Sequence, residues 1–303
     1  MVGLTSSICW ACTYLAFNIF NNYTVGLFVW LPLVMGATST LMMGFRKNDP
    51  QHLSFAVPFN TLIIFCIGVS LWGMDGLIYL VMAFPIGVLF DWIGFMLAKY
   101  FLEKRSDNSS LKIILLFASV PSLLAFETML PHDEDLRAVT TTIEINASPE
   151  EVWKNVIAFP PLKPPTEFFF NTGIAYPVNA TIDGRGAGAI RKCNFSTGSF
   201  IEPITDWKEA QLLRFSVVFQ PPPLEEISFY RIDPKHLHGT WISRKGQFKL
   251  TRLANGHTRL EGTTWYSCNI EPAFYWTAWS DYIVHLIHKR VLQHIKTQSE
   301  LTK

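Results

Sequence analysis

From Met1 to Phe45 the chain has no Asp, Glu, Lys or Arg. As one helix that stretch would be about 65 Å long, roughly twice the hydrocarbon thickness of a bilayer, so it must break. "NNYT" at Asn21–Thr24 is the natural break and leaves two apolar segments, 4–20 and 25–45. The first lacks the basic flank of a secretory signal and reads as a span. Charges stay sparse to about Leu130, and three further spans are expected at 52–72, 76–100 and 111–130. Beyond Pro131 charges are dense and mixed in sign. The chain therefore divides into a transmembrane helical region (1–130), a linker (131–137) and a water-facing domain (138–303). With 25 basic and 24 acidic residues the net charge is +1, which gives no footprint for nucleic acid.

Arg46 and Lys47 fall in one short loop, and Lys99, Lys104, Arg105 and Lys112 in or beside another. In a five-span arrangement both loops lie on one side, the cytoplasmic one, so the C-terminal domain is expected outside the cytoplasm. The joint "GMDG" makes the third and fourth spans a tight hairpin. Asp91 is the one acid expected well inside a span. It lies eight residues before Lys99, and Asn60 lies eight residues after His52, so both sit about 12 Å from the same face. The two are expected to face each other, either as glue between helices or as an intramembrane functional carboxyl. Pro32, Pro58, Pro85 and Pro121 each fall within a span, where kinks are tolerated.

The C-terminal part changes period. "AVTTTIEINA" (138–147) alternates as a strand. Ser148, Pro149 and Glu151 then start a short helix with an N-cap, a first-position proline and a capping box. Strands are expected at about 175–182, 187–195, 199–206, 212–219, 241–253 and 257–267, and one long helix closes the chain. This is an α+β order with an antiparallel meander. "IEINASPEEVWKNV", "GQFKLTRLANGHTRLEGTTWY" and the final helix together resemble the START/SRPBCC superfamily, over about Ala138 to Ser299. The resemblance implies a helix-grip fold, a curved sheet wrapped round the last helix with a cavity between them. Helix-grip proteins include ligand carriers, cyclases, dehydratases and interaction modules. The whole looks like the membrane-anchored SRPBCC proteins of bacteria, which implies the inner membrane.

With the turn of the hairpin "IRKCNFSTGSFIEPI" centred on Thr197–Gly198, Phe195 would pair with Phe200 and Cys193 with Glu202. Alternation then turns Arg191, Cys193, Phe195, Phe200 and Glu202 inward. An inward Arg and Glu must either close on each other or meet a polar ligand group. On the last helix a stripe of Trp276, Ala278, Trp279, Ile283 and Ile287 is expected to face the sheet, with Tyr266 nearby on the last strand. His285 would pair with Asp281 one turn away, and His288 would lie at the cavity rim. No third ligand accompanies the histidines, so no metal is expected. "GRGAGA" (184–189) lies between strands and not before a helix, so no phosphate loop and no cofactor follow from it.

Cys9, Cys12, Cys66, Cys193 and Cys268 form no disulfide framework. "QPPPLEEISFYRIDPKHLHGTW" (220–241) exceeds a hairpin loop and reads as a stiff insertion, a lid, or a segment whose Phe229 and Tyr230 reach the membrane. The expected function is membrane-tethered binding or transfer of a hydrophobic or lipid-like molecule. Two alternatives stand beside it: a cyclase- or dehydratase-type enzyme using Glu202 or a histidine, and an interaction module whose cavity is filled by its own side chains.

Overall fold

The computed structural model describes residues 2–15, 24–47, 53–104, 109–127, 129, 135–227 and 239–301. They form two compact units. One is built on the N-terminal helices and also takes in Glu226, Ile227 and Ile270–Ala273; the other contains the sheet.

The first unit holds α1 (Val2–Leu15), α2 (Leu31–Lys47), α3 (Ala56–Leu71), α4 (Leu77–Glu103) and α5 (Ser109–Glu127). The "NNYT" break lies, apart from Thr24, outside the described residues. A π-helical turn, Gly26–Trp30, leads into α2 just before Pro32. A proline lacks the N–H needed to continue the regular ladder, and a widened turn upstream absorbs the mismatch. Two helical stretches, Gly26–Gly44 and Leu77–Glu103, are long and apolar enough to cross a membrane; Ala56–Leu71 and Ile114–Glu127 are apolar but shorter.

Backbone contact dominates the packing of α2 on α4. A Cβ on Gly36 would stand 2.0 Å from the Asp91 carbonyl oxygen, and one on Gly94 2.1 Å from that of Leu33. Small residues of this kind let apolar helices approach where solvent exclusion provides no drive. Polar ends are tied by side chains. Gly26 N–H donates to both carboxylate oxygens of Glu127 at 3.1 Å, which places an acid at a helix start. Trp30 Nε1 donates to Ser119 Oγ at 2.7 Å and Trp10 Nε1 to the Phe65 carbonyl at 2.9 Å.

The expected Asn60–Asp91 contact is absent. Asn60 is exposed on α3, whereas Asp91 is fully buried. Equal depth sets height along a helix but not its rotation. The glycines bring α2 onto the α4 face that carries Asp91.

The second unit is a seven-stranded antiparallel sheet. Its strands are β1 (Arg137–Ile145), β2 (Pro177–Asp183), β3 (Ile190–Phe195), β4 (Gly198–Lys208), β5 (Leu212–Ser216), β6 (Trp241–Arg252) and β7 (Thr258–Cys268). Their order is β1-β7-β6-β5-β4-β3-β2, so first and last strands pair and each later hairpin adds a neighbour. Register shifts in β4 (Ile204/Asp206) and β6 (Ser243/Lys245) bend the sheet. The result is a curled half-barrel with the long C-terminal α7 (Ala273–Leu301) against it. The short α6 (Pro149–Ile157) begins at Ser148, whose Oγ accepts the Glu151 N–H at 3.4 Å. The Glu151 carboxylate accepts from Lys154 Nζ at 2.7 Å, so Ser148 supplies the cap and Glu151 is engaged on the helix surface.

Val291, Leu292 and Ile295 of α7 join Ile145, Leu213 and Leu260 of the sheet in one core. The buried face of α7 runs through Trp276, Val284, His288, Val291 and Ile295, and Ala278 is exposed. The expected stripe is thus rotated toward His288. β1 and β7 offer hydroxyl partners there, so a polar residue fits the buried face.

Gly94→Val is expected to lose folded yield and to lower the thermal midpoint of the protein. The backbone facing it cannot retreat, so the cost should reach the upper part of the roughly 1–3 kcal/mol range for overpacking. Gly87→Ala, whose Cβ would meet Leu62 at an ordinary 3.8 Å, should leave the midpoint near wild type.

Candidate functional site

The β3–β4 hairpin turns through Ser196 and Thr197, and Gly198 takes φ +145°. The pairs are Phe195–Gly198, Cys193–Phe200 and Arg191–Glu202. The expected register is therefore corrected by two residues along β4. An even shift preserves the face, so the five side chains still share one side of the sheet. It also sets Arg191 directly across from Glu202.

These two close on each other. Arg191 Nη1 donates to Glu202 Oε2, and Arg191 Nε donates to the Ile157 carbonyl at 3.3 Å. Arg191 is 2% exposed and Glu202 5%. Around the guanidinium stand three rings: Phe159 at 5.7 Å, Phe215 at 5.5 Å and Phe248 at 5.6 Å. Ring faces attract the cation but accept no strong hydrogen bond. Gly246, across from Phe215 on β6, makes room for this cage. A Cβ there would stand 2.6 Å from the Phe215 ring.

Electrostatics follows from the burial. Loss of water pushes the Glu202 carboxyl above its ordinary range, against the pull of Arg191. Burial, then the Glu202 charge, pushes the neighbouring Cys193 thiol up to about 12, so it is an inert thiol at neutral pH. Cys193 and Cys268 lie on non-adjacent strands and form no disulfide.

The remaining expected residues form separate groups. Phe195 and Phe200 meet near the hairpin tip with their rings tilted by 58° and their centroids 4.7 Å apart. Tyr266 is fully buried, lies 5.3 Å from Trp241, and its hydroxyl donates to Asp281 Oδ1 at 2.7 Å. Asp281 also accepts from Arg137 Nε at 2.8–2.9 Å. Trp276 is buried, and Trp279 packs on Phe169 at 5.9 Å.

The expected His285–Asp281 pair does not form. Asp281 is held by Arg137, and His285 Nδ1 meets Thr141 Oγ1 at 2.9 Å. His288 is buried, with Nδ1 3.1 Å from Thr141 Oγ1 and Nε2 2.7 Å from Thr264 Oγ1. Two hydroxyls satisfy a neutral imidazole completely. Burial, then the neighbouring His285, pushes His288 down to about 4. The polar residues of α7 thus pin the helix to β1 and β7.

Phe159, Phe215, Phe248, Arg137, Thr141 and Thr264 were not singled out from sequence. Inward alternation was available for the two strand phenylalanines; nothing local marked Phe159. Of the long insertion, Gln220–Glu225 is tied down. Gln220 Nε2 donates to the Trp241 carbonyl at 2.9 Å, Thr197 Oγ1 to that of Pro222 at 2.7 Å, and Glu225 N–H to that of Gly173 at 2.9 Å. Phe229, Tyr230, His236 and His238 lie outside the described residues. Near the start of α7, Phe169 contacts Tyr282 at 5.7 Å, and Phe168 and Phe274 are 73% and 75% exposed. Among the described residues there is no cluster of three or more His, Cys, Asp or Glu able to hold a metal.

A scan of protein families gives no match, and no curated protein matches. Solved structures with a similar fold outline include the Chromobacterium violaceum protein CV1439, at 13% identity and TM-score 0.34 over 54% of this chain and 96% of that one. The Bacillus cereus protein XoxI aligns at 15% identity and TM-score 0.35, over 55% and 98%. The Aha1 dimer of Colwellia psychrerythraea aligns at 17% and 0.27, over 51% and 96%. At these values the likeness assigns no ligand and no activity.

Arg191→Met alone should cost about 3–5 kcal/mol of unfolding free energy, because it strands a buried carboxyl, and Glu202→Leu alone a similar amount. The double variant should recover most of that loss, read from urea titrations of the full-length protein. Between about pH 6.5 and 4, stability should fall by up to about 1.4 kcal/mol per pH unit, because the unfolded chain protonates His288 and the folded one resists it. Above pH 6.5 that contribution is complete. His288→Gln should flatten this part of the profile.

Proposed function

We propose that this chain is a membrane-tethered helix-grip protein of the START/SRPBCC type that binds an amphipathic small molecule with an anionic head. The observation that carries this reading is the Arg191–Glu202 pair inside its cage of phenylalanines. A buried ion pair adds little to stability compared with apolar residues of the same size. Its retention is accounted for by an exchangeable partner. A ligand carboxylate or phosphate takes the guanidinium in place of Glu202, and Glu202 takes up a proton from solvent. Burial already biases Glu202 toward the neutral form. The apolar body of the ligand rests on Phe195, Phe200 and the rings of the cage, with Tyr266, Trp276, Trp279 and His288 lining the far side. Tethering through the apolar helices holds the domain beside the bilayer at high effective concentration, on the extracytoplasmic face of a bacterial inner membrane.

A second reading is favoured by one observation. Arg191 is already satisfied by Glu202 and Ile157, and the exposed aromatics Phe168 and Phe274 lie outside the grip. In that reading the interior is structural and the domain is an interaction module.

Native mass spectrometry of the full-length protein released from detergent separates the two. A reproducible adduct, extractable into organic solvent and lost in the stable Arg191→Met/Glu202→Leu double variant, is the expected result. Its affinity should weaken as pH rises, since binding takes up a proton. A bare mass in every preparation, including after incubation with fatty-acid and phospholipid vesicles, would leave only the interaction module.

A further inference from the structure

Asp91 lies in the middle of α4 with no exposed surface, and neither carboxylate oxygen has a hydrogen-bond partner. An ionised carboxylate in that setting would be very costly. The group must either hold a proton or be matched by a cation. The surroundings decide between them. A sodium or potassium ion needs several converging oxygens. The buried hydroxyls of α2, Thr38, Ser39 and Thr40, instead donate to carbonyls of their own helix at 2.6–2.7 Å. The backbone contacts at Gly36 and Gly94 keep α2 tight against α4. No charged side chain faces Asp91 among the described residues of the packed helices. From Leu31 to Gly44 α2 carries no titratable group, α1 brings the Cys9 thiol within electrostatic reach, and α3 brings only Cys66. Glu127 of α5 is engaged by Gly26.

A second observation concerns access. A cavity of ≈ 60 Å³ runs beside α4, with Asp75, Tyr79, Phe84 and Gly87 among its lining residues. Gly87 is one helical turn from Asp91. Thr13 of α1 also lines it and donates to the Cys9 carbonyl at 2.9 Å. The lining thus includes, on α4, a residue one turn from Asp91 and, on α1, a residue one turn from Cys9, whose thiol is within electrostatic reach of Asp91. Asp75, buried just before α4 and lining the same cavity, accepts from Gly76 N–H at 2.9 Å. An intramembrane carboxyl is far more telling when a second one stands along the same path.

We propose that Asp91 is a proton-binding site within the helical unit, a neutral carboxylic acid that takes up and releases its proton by way of the cavity leading from Asp75. The O–H bond of the acid forms from a solvent proton and breaks to return it, with no other reactant. This site is independent of the Arg191–Glu202 pair and of any ligand in the sheet domain.

Infrared difference spectroscopy on the full-length protein in lipid nanodiscs tests it. The expected result is a carboxylic-acid carbonyl band at neutral pH that is missing in Asp91→Asn, shifts in D2O, and diminishes reversibly as pH rises. Asp75→Asn should keep the band but slow its D2O shift several-fold. If Asp91→Asn does not fold, Asp91→Glu should move the same band. Three results would overturn the proposal: no band assignable to position 91, a band unchanged over the whole accessible alkaline range, or one whose amplitude follows sodium at fixed pH. A D2O shift as fast in Asp75→Asn as in wild type would remove Asp75 from the path.

Discussion

The pairing of β1 with β7 is the constraint from which the sheet domain follows. It joins the first strand to the last along nine residues. Everything between must then fold out as hairpins on the far side of β7, and α7, which leaves β7 after a short loop, must return beneath its own sheet. The contact costs chain entropy, because β1 and β7 are more than a hundred residues apart. It is held by pairs that a hairpin alone would not need. Arg137 reaches Asp281, Thr141 meets both histidines, and Tyr266 closes on Asp281. These contacts place α7 in rotation as well as depth, and so decide which of its residues face the core.

Within that frame the interior divides chemically. Near β1 and β7 it is hydroxyl-rich and neutral, and His288 stays uncharged because two threonines satisfy it. Across the sheet, under β3 and β4, it is aromatic around one charge pair. The same low polarity that raises the Glu202 carboxyl strengthens its attraction to Arg191. Any partner exchange at Arg191 is therefore coupled to a proton at Glu202.

The helical unit packs by a different rule. Its α2 and α4 meet through glycine and backbone contact, Trp10 and Trp30 donate to a carbonyl and a hydroxyl of other helices, and Glu127 accepts at a helix start. Asp91 stands out against that economy because it alone among these examples is left without a partner. Asp91 and the Arg191–Glu202 pair are thus opposite solutions to burying charge. One carries a proton, and the other carries a counterion.

The sequence by itself determined the split into an apolar helical part and a strand-rich part, since uncharged runs and alternation are local patterns. It also placed the seven strands and the closing helix closely. It placed Arg191, Cys193 and Glu202 on one inward face, because face depends only on parity. The tertiary structure alone decided the rest. Register across the β3–β4 turn shifted by two, a quantity parity cannot sense, and this set Arg191 opposite Glu202. Asp281 and His285, neighbours on their helix, were claimed by different residues of β1. Asn60 and Asp91 shared a depth but not a direction. Each of these depends on rotation or register relative to a distant segment, and the energy that fixes it comes from contacts separated by tens to more than a hundred residues in the chain.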